Sequence, residues 1–189
     1  MHTQRVKLVL AAMVVCAVLL GGVSAASATT VRFNPGGAIA LRGSVLVEYE
    51  GGSFSCTMSF TGSLTSTAVE AVPGANIGSI NEATNECPEG RRIRILSRGP
   101  LRLVELLPGP GVLAYLEEIG LLFSQETPFP SRCLYGPRLG ILINSEEITF
   151  LTEPPLRLLR QLEGSLFCPI IIRLRGRMAM TPRQEIIVR

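Results

Sequence analysis

Few side chains in this chain are equipped for chemistry. Every acidic residue among its 189 positions is Glu, and Asp is absent. The single His is His2 and the single Lys is Lys7. A nucleophilic Ser or Cys needs a base to take its proton, most often His or Lys, and neither occurs after residue 7. The Gly-x-Ser-x-Gly elbow is missing, as are the phosphate-cradling patterns Gly-x-x-x-x-Gly-Lys and Gly-x-Gly-x-x-Gly. Metal chemistry fares no better. There is no Cys-x-x-Cys pair and no Asp-rich loop, so neither a zinc nor a calcium site is expected. Paired carboxylates are the remaining catalytic option, as in glycoside hydrolysis. The pairs are Glu48 and Glu50, Glu117 and Glu118, and Glu146 and Glu147. Solvated surface carboxylates are the simpler reading, and the absence of Trp removes the usual sugar platform. We therefore expect no catalytic residue, no metal and no cofactor, with a Glu-based glycan-active enzyme as the alternative.

Binding has more to draw on. Arg173, Arg175 and Arg177 alternate, so on a strand they line one face. Arg91, Arg92 and Arg94 cluster after Cys87. Either group suits an anionic cell-envelope polymer or an acidic surface partner. The competing reading is a charged, solvated face that discourages edge-to-edge strand pairing. Tyr135, beside Cys133, is expected to pack on a disulfide.

The N-terminus sets the address. Arg5 and Lys7 precede an unbroken apolar run of 13 residues, Leu8 to Leu20. Gly21 and Gly22 follow, and Ala26-Ser27-Ala28 supplies small residues before Thr29. This is the layout of a secretory signal peptide. The run is short against the roughly 20 residues that span a bilayer, which disfavours a retained anchor. Residues 1–28 are read as a cleavable signal helix and 29–189 as one secreted domain, extracellular or held at the cell envelope and not membrane-spanning. Of 18 Lys and Arg, two leave with the leader, so 16 cations face 15 Glu, a net +1. Such a balance gives no support for nucleic-acid binding, which needs a basic surface.

Four cysteines remain: Cys56, Cys87, Cys133 and Cys168. An even count in an exported chain predicts disulfides. Sequence neighbours joined by hairpins meet most easily, which favours Cys56–Cys87 with Cys133–Cys168. Each would close a loop worth about 3–4 kcal/mol on the chain-entropy model.

The elements that carry these residues read as strands. Val45, Val47 and Tyr49 alternate with polar neighbours. After Gly51-Gly52, Phe54, Cys56, Met58 and Phe60 alternate with Ser and Thr, which predicts a hairpin turning at the glycines with the Phe54–Phe60 face inward. Residues 112–125 also carry helical spacing at Leu113, Leu116, Ile119, Leu122 and Phe123, but Gly120 interrupts it and strand is preferred. The expected fold is all-β, an antiparallel β-sandwich or partly open barrel of about nine to eleven strands. An outer-membrane barrel would show aromatic girdles, and aromatics are only 5% here.

Several short motifs carry a resemblance: Val31-Arg32-Phe33-Asn34-Pro35-Gly36-Gly37-Ala38, Ser55-Cys56-Thr57, Phe60-Thr61-Gly62-Ser63-Leu64, Cys133-Leu134-Tyr135-Gly136 and Phe167-Cys168-Pro169. With these the chain resembles a group of uncharacterised secreted β-rich proteins of high-GC Gram-positive bacteria. The resemblance implies export and β-architecture, and no activity. The overall expectation is a non-catalytic secreted or cell-envelope structural or binding module. Intact-mass analysis of the exported protein should find Thr29 as the first residue, with Ser27 as the secondary start; a mass retaining Met1 to Ala28 would refute cleavage.

Overall fold

A computed structural model describes residues 28–96, 99–126, 130–164 and 168–189. The predicted leader falls almost wholly outside these residues. Fifteen strands form β1 (Thr30–Asn34), β2 (Gly37–Tyr49), β3 (Gly52–Leu64), β4 (Val69–Glu70), β5 (Asn76–Glu86), β6 (Arg91–Ile95), β7 (Gly99–Leu107) and β8 (Gly111–Leu116). They continue as β9 (Leu121–Gln125), β10 (Ser131–Gly136), β11 (Leu139–Ile143), β12 (Glu147–Phe150), β13 (Leu156–Gly164), β14 (Ile171–Thr181) and β15 (Glu185–Val188). All pairings are antiparallel.

Two kinds of strand build the molecule. β2, β3, β5 and β14 run 11 to 13 residues without interruption. The others come in short pieces. Strands β12, β11, β8 and β7 flank one half of the long strands and close an eight-stranded barrel, with β12 on β14 and β7 on β5. Strands β13, β10, β9 and β6 follow in the same spatial order along the other half, with β13 on β14. The chain crosses between the halves at four breaks, between β6 and β7, β8 and β9, β10 and β11, and β12 and β13. The result is an upper ring and a lower ring sharing four long strands. Counted with each broken strand as one, the fifteen pieces make eleven, within the expected range, and the architecture takes the barrel form and closes it.

Three of these breaks have a local cause. Between β8 and β9 the chain turns at Glu118, which has a left-handed φ of +55°. Pro137, Pro154 and Pro155 stand at two other breaks, where a missing N–H cannot extend a ladder. The helical spacing over 112–125 is overridden. Val112, Ala114 and Leu116 alternate inward on β8, and Leu121 then begins β9 in the other ring. The β2–β3 hairpin forms as expected, with its turn one residue earlier. Tyr49 pairs with Gly52, so Glu50 and Gly51 are the loop. Gly51 takes the φ of +101° that glycine adopts without strain.

The upper ring is filled. Leu41, Phe60, Leu116, Ile141, Ile148 and Phe150 meet inside it around a residual void of about 10 Å³, close to the minimum for one water. A three-stranded sheet, β15–β1–β4, lies at its upper end, where Phe33 N–H donates to Thr65 O at 2.9 Å. Gln184, fully buried, joins this sheet to the barrel. Its Oε1 accepts from Gly36 N–H at 2.8 Å, its Nε2 donates to Pro182 O at 3.0 Å, and its own N–H donates to Ser145 O at 2.8 Å.

The lower ring closes differently. Between β5 and β6 no backbone ladder forms, and the Asn85 side chain takes its place. Ile93 N–H donates to Asn85 Oδ1 at 3.1 Å, and Asn85 Nδ2 donates to Ile93 O. The carboxamide thus satisfies both polar groups of a fully buried residue as a neighbouring strand would. Replacing Asn85 with Ala should lower unfolding free energy by about 1–3 kcal/mol and speed amide exchange along Arg91–Ile95 before the rest of the barrel. Gln184→Ala should cost a similar amount by the same principle without that local exchange signature. Denaturant melts with hydrogen-exchange mass spectrometry separate the two, and uniform exchange in Asn85→Ala would refute the closure.

Candidate functional site

The lower ring is open where the upper one is packed. A cavity of about 250 Å³ enters its lower end, beside the β2–β3 turn. Val47, Phe54, Phe123, Tyr135 and Ile172 form an apolar wall, and Tyr49 and Pro169 stand with them. The polar lining is Arg91, Ser124, Gln125 and Ser131. Among the described residues no carboxylate lines the cavity, and the sulfur at Cys133 is in a disulfide.

Strand pairing places these groups. Phe123 lies directly opposite both Ile93 on β6 and Cys133 on β10. Its ring meets Tyr135 edge-on at 5.3 Å between centroids. Tyr49 and Phe54, diagonal across the hairpin, have ring centroids 6.2 Å apart. Arg91, the first residue of β6, reaches across the interior, and its Cζ lies 4.6 Å from the centre of the Phe54 ring. Its Nε donates to Gln125 Oε1 at 3.5 Å, and its Nη2 pairs with Glu89 Oε2 at 2.6 Å. The Arg91 side chain is 19% exposed and Glu89 68%, so the cation faces the cavity and its acidic partner faces water.

Both disulfides form with the expected connectivity, and both brace this end. Cys56–Cys87 ties β3 to the short turn, Pro88–Gly90, that leads into Arg91. Cys133–Cys168 ties β10 to the segment entering β14. Tyr135 adds to the second tie, its hydroxyl donating to Pro169 O at 2.9 Å. Burial pushes the Tyr135 phenol up to about 12, so it stays protonated at neutral pH.

Of the residues singled out from sequence, Arg91, Cys133 and Tyr135 reach the cavity, and the other Arg and the Glu pairs lie elsewhere. Arg173, Arg175 and Arg177 do share one outward face of β14. Arg173 lies 3.7 Å from Glu153 and directly opposite Glu48, and Arg177 lies 3.9 Å from Glu147. Arg175 has no ion pair among the described residues. Arg92 pairs with Glu126 at 3.4 Å, outside the cavity. The three Glu pairs do not converge on the cavity. Glu117 pairs with Arg138 at 2.8 Å and Glu146 with Arg183 at 2.9 Å. Glu48 and Glu50 sit on the outer surface with Arg173 and Ile170. Of the cavity's lining, sequence reasoning had placed Phe54 on the inward face and Arg91 in a cation cluster. Local spacing does not join them, because β3 and β6 share no ladder and come together through the Cys56–Cys87 disulfide and the intervening β5.

No known protein family, no curated protein and no solved structure matches this chain.

Tyr135 makes stability depend on alkaline pH. Its folded value lies above the usual 10, so the neutral phenol favours the fold. That contribution is complete below pH 10 and is lost as pH rises through 10 to about 12, because the unfolded chain ionises first. Tyr135→Phe should flatten the fall in unfolding free energy over this window, and the difference in tyrosinate absorbance between the two proteins should rise near pH 12. A difference titrating at 10 would contradict the burial.

Proposed function

We propose that this chain is a non-catalytic, disulfide-braced barrel module, exported to the medium or the cell envelope, that binds a small molecule at the open end of its lower ring. The observation that carries this reading is the contrast between the rings. One is filled to a void of about 10 Å³ and the other keeps a cavity of about 250 Å³ lined by aromatic side chains and one guanidinium. Sites for small ligands are concave, mostly apolar, and carry a few placed polar groups. Export is supported by the leader-like N-terminus and by two disulfides, which persist in oxidising compartments. The absence of a carboxylate or imidazole from the cavity lining favours binding over catalysis. The outward faces of β2, β3 and β14 carry Arg42, Ser44, Ser55, Thr57, Arg173 and Arg175, which favours a water-facing exterior. No helix among the described residues is long and apolar enough to cross a membrane.

A screen of apolar fragments by chemical-shift perturbation should find binders that move the signals of Tyr49, Phe54 and Phe123. Binders confined to other surfaces, or none, would sink the reading.

The shared outward face of Arg173, Arg175 and Arg177 favours a second reading, a salt-sensitive hold on an anionic envelope polymer. Isolated envelope should then retain the wild-type protein at low salt and release the triple Arg→Gln variant. Equal retention of both would dismiss this face as a binding surface.

A further inference from the structure

We infer that the lower-ring cavity takes a small organic acid, an apolar body of one or two rings whose carboxylate pairs with Arg91. The inference rests on the binding role proposed above and adds the chemistry of the ligand.

Size comes first. The cavity's 250 Å³ falls just below the roughly 300 Å³ at which typical small-molecule sites begin, so the ligand is fragment-sized. The wall sets the body. Tyr49, Phe54, Phe123 and Tyr135 present ring faces and edges, and aromatic groups gain from offset and edge-to-face contact with such surfaces. The single charge sets the head. Arg91 is the only ionisable cation of the lining among the described residues. Its Cζ lies 4.6 Å from the centre of the Phe54 ring, with Nε against Gln125 and Nη2 against Glu89. The guanidinium thus stands at the edge of an apolar site. A planar fork of this kind matches a carboxylate better than a lone ammonium does. Glu89 does not compete from inside, because it is mostly exposed and is not part of the lining. Its role is to orient the guanidinium from the water side. Ser131, opposite Gln125, stands at the same end and supplies a hydroxyl to the second oxygen or to a bridging water.

A matched pair of probes tests the inference. 2-Naphthoate and 2-naphthylmethanol share the apolar body and differ in the charge. Their fluorescence is read without indole background, since the chain has no Trp. The wild-type protein should bind the acid saturably and at least tenfold more tightly than the alcohol. Arg91→Gln should weaken the acid at least tenfold and leave the alcohol unchanged. Arg91→Lys should restore part of the acid's affinity. Phe54→Ala should weaken both probes. Thermal melts of each variant confirm the fold, and Arg175→Gln, far from the cavity, should match wild type. Equal affinity for the two probes, or an acid affinity indifferent to Arg91→Gln, would overturn the carboxylate anchor while leaving the binding cavity in place. Failure of both probes to bind wild-type protein at millimolar concentration would overturn the anchor and the binding role together.

Discussion

The ladder of β3, β2 and β14 must hold one register over its full length, because each strand serves two interiors in turn. On β2, Leu41 points into the upper ring and Val47 into the lower. A slip of one residue would turn every one of these side chains to solvent and every outward Ser, Glu and Arg inward. The register is fixed by the β2–β3 turn at one end, where Gly51 supplies the left-handed residue, and by close backbone approach along the way. A Cβ at Gly43 would strike the carbonyl of Arg177, and one at Gly176 would strike that of Ser44. These two glycines let the backbones of β2 and β14 approach closely at these positions.

Given that shared spine, the rings differ in how they close. The upper one closes by backbone pairing on both flanks and fills with Leu, Ile, Phe and Met. The lower one closes on one side through a side-chain amide. A carboxamide carries one donor and one acceptor in the arrangement of a peptide group, so it satisfies Ile93 without bringing β5 and β6 to full ladder distance. That wider seam, the reach of Arg91 across it and the aromatic wall behind belong together. The disulfides stand where the ladder is thinnest, Cys56–Cys87 beside the seam and Cys133–Cys168 at the entry to β14.

Strand identity and direction were legible in the sequence because alternation is a local signal. Phe54, Cys56, Met58 and Phe60 point inward as their spacing says, and the cysteine pairing follows from hairpin neighbours. The helical spacing over 112–125 misled only in suggesting a rival, since pairing with β7 and β11 decides the strand. The break at Glu118 was not legible as a crossing between rings, because nothing in its neighbours distinguishes it from an ordinary turn. The cavity was hidden for a similar reason. Arg91 and Phe54 are 37 positions apart, and Tyr135 reaches the same space from a third strand. The runs of adjacent Glu and alternating Arg attract attention in one dimension, yet the fold spreads them over the outer surface and matches most of them with opposite charges.

The antiparallel pair of β1 and β15 has a further bearing. Thr30 and Arg189 exchange both backbone hydrogen bonds, at 2.7 and 3.0 Å, so the first and last strands leave the barrel side by side at its upper end. The cavity mouth is at the other end, next to Tyr49. Any segment joined to either end of this domain therefore departs from the pole opposite the mouth. The barrel is oriented like a cup held by its base: tethered through its termini to a surface or to a neighbouring domain, it would present the aromatic opening outward.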